Sequence, residues 1–406
     1  MLDESYDIVV IGAGIIGLAT ALKLTQCHPD LKIAVLEKES QVGLHQTGHN
    51  SGVIHAGIYY APGSHKANFC SVGGKLLREF CDQHEIKYEM CGKLIVAVDE
   101  SEVARLEDLY ERGTQNGAEG LRMIGREEIR EIEPHAAGVK AIFSPNTGII
   151  DYREVSEGYL ADFKSNGGKI HLGTKLREIH QLNDGISLET NEGTYTAKNI
   201  INCAGLQADE VAIMMGAKSE VRIIPFRGEY FSIVPEKSHM VKGLIYPVPD
   251  PNLPFLGVHF TKRINGTVEA GPNAVFAWAK EGYTKTKIDF GDLKGALTYK
   301  GFWKMSGKYW KVGFNEQIRS VFKGKFVESL QTLMPEISGN DLGAPGAGVR
   351  AQAVDAEGRL LQDFSISETH HAIHVLNAPS PGATSSLAIS EYIASAADKT
   401  FELSTK

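Results

Sequence analysis

Gly12-Ala13-Gly14-Ile15-Ile16-Gly17 reads G-x-G-x-x-G, and Glu37 stands 20 residues beyond Gly17. These residue types at this spacing bind phosphate. Gly12 permits a tight turn, Gly14 lets backbone approach a pyrophosphate, and Gly17 lets a helix pack close to a sheet. The amino end of that helix, at Ile15 and Ile16, offers free N–H groups and partial positive charge. Glu37, with Lys38 beside it, suits an adenosine ribose and disfavours a 2′-phosphate. The fingerprint predicts a dinucleotide without saying which. The following loop, Gly43 to Gly63, is rich in small polar residues. Within it Thr47, His49, Asn50 and Ser51 can satisfy the rest of a long dinucleotide through backbone and hydroxyl contacts. Ala204 and Gly205, after a later strand, are assigned to the same side.

Metal chemistry is not expected. His45 and His49 are four apart, but in a loop that does not read as helical. His370-His371-Ala372-Ile373-His374 has no accompanying Cys or second ligand pair, and reads as a solvated turn entering a strand. The five cysteines form no C-x-x-C pair and read as reduced thiols in a cytoplasm-like compartment.

Positioning such residues takes a βαβ unit. Ile8 to Ile11 is a short β-branched run that suits a strand buried on both faces. A helix over 14–27 and a second strand over 32–36 complete the unit. A helix carrying Phe69, Val72, Leu76 and Phe80 follows. A strand and one or two surface helices are expected over 91–133, and an amphipathic helix over 151–165. Strands follow near 169–172, 186–190 and 194–201. Residues 221–275 read as antiparallel strands. The chain closes with a Gly/Pro-rich segment at 343–348, two short strands and a helix from about Thr384.

The net charge of −8 argues against nucleic acid as a partner. The acidic start, Met1 to Asp7, lacks the basic region of a signal peptide. No apolar run approaches the roughly 20 residues of a membrane span. A cytoplasmic chain is expected, at most peripheral on the inner face of a membrane.

Several long blocks carry a resemblance: His45 to Gly57, Pro225 to Tyr230, Tyr246 to Asp250, Pro254 to His259, Gly271 to Ala274, Gly348 to Ala353 and Asn377 to Pro381. On these the chain resembles the L-2-hydroxyglutarate dehydrogenase/oxidase family of the D-amino-acid-oxidase-like superfamily. One local departure is Pro345-Gly346-Ala347-Gly348, where a simpler Pro-Ala-Gly is the family pattern. The resemblance implies FAD and oxidation of a 2-hydroxy diacid, L-2-hydroxyglutarate, to 2-oxoglutarate. It also implies a Rossmann-like α/β FAD-binding domain interleaved with an α+β substrate domain on an antiparallel sheet. The expected division is 1–90, 140–220 and 341–406 for FAD, with 91–139 and 221–340 for substrate.

Oxidising a 2-hydroxy acid at a flavin requires the α-hydrogen to face N5, a base for the hydroxyl proton and a cation for the carboxylate. The resemblance points to Arg350 for the carboxylate, since guanidinium suits planar bidentate pairing; the alternative is a structural salt bridge. His259 is the expected base, with His55 as the alternative. Arg227, Arg263, Tyr246 and Tyr60 are candidates for the second carboxylate, and nothing chooses among them. Ser380, Pro381, Gly382, Ala383 and Thr384 precede the last helix and should set N–H groups near flavin N1 and O2.

Residues 285–325 carry a net charge of +7, leaving −15 for the remainder. They contain Trp303 and Trp310, with Phe302, Tyr309, Phe314 and Phe322. Lysines mixed with Trp and Tyr suit the interface of an anionic bilayer. The expectation is a membrane-facing segment that passes electrons to quinone, with oxygen as the other acceptor. The alternative is a lysine-rich helix pair whose aromatics pack inward. Two further functional readings fit the same motifs: a secondary-amine or amino-acid oxidase, and a non-catalytic flavin redox module.

Overall fold

The computed structural model of the chain describes residues 4–217, 221–251, 253 and 255–403. Met1, Leu2 and Asp3 of the acidic start, and Pro254 of the quoted blocks, lie outside the described residues.

Strand β1 (Glu4–Ile11) has a parallel neighbour on each side, Thr194–Asn202 and β2 (Ile33–Leu36). Layers cover both faces, so Ile8, Val9 and Val10 are completely buried. Helix α1 (Ile15–Cys27) returns the chain between β1 and β2. It packs on the helices Tyr152–Ser165 and Ser386–Thr400. Lys169–His171 extends the sheet in parallel beyond β2, and Ala372–Asn377 does so beyond Thr194–Asn202. This is the expected doubly covered α/β sheet, with an antiparallel extension over Leu176–Leu182 and Gly185–Thr190.

The second sheet has nine strands and is antiparallel except where Leu244–Pro247 runs parallel to Lys93–Ala97. Two of its strands come from stretches expected in the dinucleotide part. Lys140–Ser144 pairs with Lys93–Ala97, and Leu342–Val354 pairs along nearly its whole length with Arg222–Ile233. The expected boundaries at 140 and 341 therefore fall at the start of strands of the second sheet. The Gly/Pro-rich stretch 343–348 lies inside a strand rather than a loop. Among the described residues Leu342–Val354 forms a ladder with one strand only, and such an edge strand tolerates Pro345 because no second ladder needs its missing N–H. The departure at 345–348 leaves the approach to Arg350 regular: the pairing runs unbroken from Pro345 to Val354, and the register shift lies earlier, between Phe231 and Ile233.

The helix His65–Gln83 forms as expected, but its buried face is rotated. Cys70, Gly73, Gly74 and Leu77 face inward while Val72 is 53% exposed. Gly73 explains the rotation, because a Cβ there would meet the Cα of Ser385 at 2.6 Å. The C-terminal helix starts at Ser386 rather than Thr384. Of the histidine run, His370 is exposed and His371 turns with φ of 66°, as expected of a solvated turn. His374 is fully buried, bonded to Asn202 and Thr369, and burial pushes its pKa down to about 4. All five cysteines are free.

Candidate active site

A cavity of about 1360 Å³ runs from the β1–α1 turn to the face of the second sheet. That exceeds the 300–1,000 Å³ of an ordinary small-molecule pocket and leaves room for a dinucleotide together with a small acid. Every residue assigned to the cofactor in the sequence lines it, from Gly12, Glu37 and Thr47 through Ala204 to Ser380 and Thr384.

The turn suits a pyrophosphate for reasons visible in the backbone. Gly12 has φ of +99°, and a Cβ there would sit 2.7 Å from the Cys203 carbonyl oxygen. A Cβ on Gly17 would lie 2.0 Å from the Gly12 carbonyl oxygen. A Cβ on Gly14 would meet only the Thr47 hydroxyl, at 3.4 Å, so this glycine keeps the cavity wall open. Gly14 caps α1 without a side-chain hydrogen bond. The Ala13 N–H donates to Glu37 Oε2 at 2.7 Å, and the Ile15 N–H donates to Thr47 Oγ1 at 3.0 Å. The Glu39 N–H donates to the other oxygen of Glu37, and a carboxylate holding one bond on each oxygen keeps lone pairs for sugar hydroxyls. These residues fit FAD.

Lys38 is held by Glu281 at 2.7 Å, by Glu39 and by His45. Glu39, His45 and Glu281 lie close enough together to hold a metal, but the Lys38 ammonium already supplies their positive charge. Glu178, His180 and Glu189 form a second such group on the surface.

At the opposite end the second sheet contributes Tyr246, His259 and Arg350 to the cavity wall. Arg350 stands opposite Phe226 in the edge ladder, its guanidinium 4.9 Å from the centre of the Phe255 ring. No carboxylate pairs with it among the described residues, so the structural salt bridge weighed above does not form there. His259 opens the strand His259–Lys262 and stacks on Tyr246 at 3.8 Å. Its Nδ1 lies 2.9 Å from the Gly257 carbonyl. A carbonyl only accepts, so Nδ1 carries the hydrogen and Nε2 is left with a lone pair. Burial first, then the cations of Arg350 and Lys93, push its pKa down to about 3 against the pull of the Gly257 bond. His55 is likewise pushed down to about 3 by burial, then by Lys93, His259 and Lys66. Its Nε2 lies 3.2 Å from Ser380 Oγ, and its buried Nδ1 has no partner. Thr384 braces this corner: its hydroxyl accepts from the His55 N–H and lies 2.8 Å from the Tyr152 hydroxyl.

Three candidates for the second carboxylate do not line the cavity. Arg227 is buried against Glu229, with two bonds at 2.9 and 3.1 Å, and donates to the Thr284 carbonyl. Arg263 donates to the Asn50 carbonyl and lies 3.7 Å from Glu269. Tyr60 is buried behind the wall. Tyr246 does reach the cavity, its hydroxyl 3.4 Å from Thr261. Lys66, which no motif marks, also lines the cavity, with its pKa lowered to about 8 by burial. Lys93 and Tyr59 lie in no motif either, although a lysine opening the apolar run Lys93-Leu94-Ile95-Val96-Ala97 is a signal in plain view.

The FAD dependent oxidoreductase family matches residues 7–396. The chain is 51% identical to L-2-hydroxyglutarate dehydrogenase of Indibacter alkaliphilus, covering 95% of this chain and 96% of that protein. It is 44% identical to the mitochondrial L-2-hydroxyglutarate dehydrogenase of Homo sapiens (98% and 90% covered) and 44% identical to the L-2-hydroxyglutarate dehydrogenase of Escherichia coli K12 (96% and 92% covered). Among solved structures, the FAD-bound L-alpha-glycerophosphate oxidase of Mycoplasma pneumoniae shares the fold, with a TM-score of 0.78 at 24% identity over 99% of this chain and 97% of that one. Glycine oxidase of Geobacillus kaustophilus shares it at 0.70 and 17% identity, with 99% and 96% covered. With FAD as its cofactor and the oxidation of 2-hydroxy acids as its chemistry, the chain belongs to the FAD dependent oxidoreductase family and, within it, to the L-2-hydroxyglutarate dehydrogenases.

Proposed function

We propose that the chain oxidises L-2-hydroxyglutarate to 2-oxoglutarate and passes the electrons to a quinone at a membrane surface. The observation that carries the reading is the pairing, in one cavity, of a guanidinium without a carboxylate partner among the described residues and an imidazole with a free nitrogen. The names of the similar proteins supply the substrate.

Bound FAD supplies the two-electron acceptor. Arg350 forks the carboxylate beside the hydroxyl and fixes the orientation of the α-carbon. His259 Nε2 takes the hydroxyl proton as the α-hydrogen departs with its electron pair and the carbonyl forms. Its low pKa keeps His259 unprotonated at neutral pH, so Nε2 is free to accept; a carboxylate on Arg350 offsets one of the cations that depress it, while burial, the larger cause, remains. His55, bonded to Ser380, holds the corner where the cofactor and substrate ends meet.

The acceptor side rests on the helices Phe290–Leu297 and Lys300–Val321. Trp303, Trp310 and Phe314 are 59%, 61% and 63% exposed, so most of these aromatics do not pack inward; Phe302 does. No helix among the described residues is long and apolar enough to cross a membrane. Exposed aromatics among lysines suit the plane of an anionic interface.

Anaerobic titration of the FAD-bound protein with each 2-hydroxyglutarate enantiomer tests the reaction. The L form should bleach the flavin and the D form should not. A flavin that neither enantiomer bleaches overturns the proposal. Reoxidation by a quinone analogue faster than by oxygen is the expected outcome for the acceptor.

A further inference from the structure

Lys93 is 2% exposed, among the largest fully buried side chains of the molecule. It opens the central strand Lys93–Ala97 and lies beside Leu244–Pro247. Its ammonium sits 4.6 Å from the ring centre of Tyr59 and 4.9 Å from that of Tyr246. Among the described residues it has no hydrogen-bond or ion-pair partner. The other buried lysine among the described residues, Lys280, shows the ordinary arrangement: it bonds Asp209 and Glu210, both at 2.7 Å. The one acidic group acting on Lys93 is the Cys70 thiol, which burial pushes up to about 12, so it carries no counter-charge at neutral pH. Burial alone brings the lysine down to about 7.

Two more unpartnered polar atoms belong to this corner, the Tyr59 hydroxyl and His55 Nδ1, both fully buried. Buried polar groups are almost always satisfied, and a buried cation without an anion is costly. A buried ammonium and a buried hydroxyl, both without partners among the described residues beside a ligand cavity, offer donors to an anion. Tyr246 joins the corner to the cavity, because it lines the wall, stacks on His259 and receives Lys93 against its ring. His259 feels the charge of both Arg350 and Lys93, so the base lies within reach of two cations of which only Arg350 faces the cavity directly.

We propose that Lys93, with the Tyr59 hydroxyl beside it, receives the distal carboxylate of the diacid and makes the site selective for dicarboxylates over monocarboxylates of equal length. This rests on the reading of a 2-hydroxy diacid as substrate. It takes the place of Arg227 and Arg263, whose guanidinium groups are committed elsewhere. Lys93 acts by binding, and His259 remains the proton acceptor.

The test uses the FAD-bound protein and compares glutarate with pentanoate, followed by the change in flavin absorbance. The wild type should bind glutarate at least about 30-fold more tightly than pentanoate, the loss typical when a buried charge partner is missing. Lys93→Met should erase that preference and leave pentanoate within about 3-fold of wild type. In turnover, the variant should raise KM for L-2-hydroxyglutarate far more than it lowers kcat, and leave kcat/KM for L-2-hydroxypentanoate nearly unchanged. Equal binding of the two acids by wild type overturns the proposal whether or not the variant folds. A variant that keeps the preference overturns it, and so does one that binds both acids as the wild type does but reduces flavin with neither L-2-hydroxyglutarate nor L-2-hydroxypentanoate, since that marks Lys93 as the base. A Lys93-dependent preference in a protein that no 2-hydroxyglutarate enantiomer bleaches keeps the anion site and removes the proposed reaction instead.

Discussion

Gly17→Ala probes the dinucleotide site through a single methyl group. The added Cβ would lie 2.0 Å from the carbonyl oxygen of Gly12 and 3.3 Å from Cys203 Cβ. A carbon approaches a carbonyl oxygen no closer than about 3.3 Å, so the contact must open by roughly 1 Å. Neither partner can swing away: one is the backbone of the turn itself, and the other belongs to the residue just after the neighbouring strand, Thr194–Asn202. Either α1 lifts off the sheet or the turn deforms, and both displace the N–H groups that face the phosphates. Overpacking of this kind costs about 1–3 kcal/mol. Drawn from cofactor binding, that is a loss of about 5- to 150-fold in FAD affinity, at tenfold per 1.4 kcal/mol. The assay is flavin titration of cofactor-free protein, with thermal unfolding in the presence and absence of FAD. Gly313→Ala is the control, because a Cβ there meets nothing within 4 Å and the position lies inside the Lys300–Val321 helix. The control should bind FAD as wild type does and gain about 0.5–1 kcal/mol of stability. Wild-type FAD affinity and melting temperature in Gly17→Ala would refute the close-approach argument.

Three other outcomes follow from the same geometry. His259→Gln should lower the rate of flavin reduction by about 10²- to 10⁴-fold while FAD stays bound, and a rate within threefold of wild type would assign the proton to another group. His55 and His259 both titrate near 3 when folded and near 6.5 when unfolded, so the unfolded chain takes up protons that the native one refuses. Stability should therefore fall as pH drops below about 6.5 toward 3, by up to about 1.4 kcal/mol per pH unit for each histidine. His259→Gln should flatten the urea-midpoint slope between pH 7 and 5, and an unchanged slope would mean that His259 is not held neutral. Replacing Lys300, Lys304, Lys308 and Lys311 together by Gln should reduce sedimentation with anionic vesicles by about 1 kcal/mol of binding per lysine, and unchanged sedimentation would detach this face from any membrane role.

The dinucleotide half was legible because its signals are local. Gly12, Gly14, Gly17 and Glu37 act through the backbone conformation and close approach of a single βαβ unit, so their spacing along the chain carries their meaning. The wholly buried run Ile8-Val9-Val10 declared a two-sided strand for the same reason. Arg350 and His259 came from block resemblance rather than periodicity, and chain folding alone brings them to one cavity from strands some 90 residues apart. The fates of Arg227, Arg263 and Lys93 lay beyond any local pattern. Whether a buried cation is spent or available depends on which acid the fold sets beside it. Glu229 satisfies Arg227, the Asn50 carbonyl and Glu269 occupy Arg263, and nothing charged meets Lys93 among the described residues. The same holds for the membership of 140–144 and 342–354 in the second sheet, because strand pairing is a contact between distant segments. The sequence by itself determined the phosphate-binding turn and the class of cofactor. Tertiary packing alone decided which charges were left without partners, because neutralisation is a property of neighbours in space.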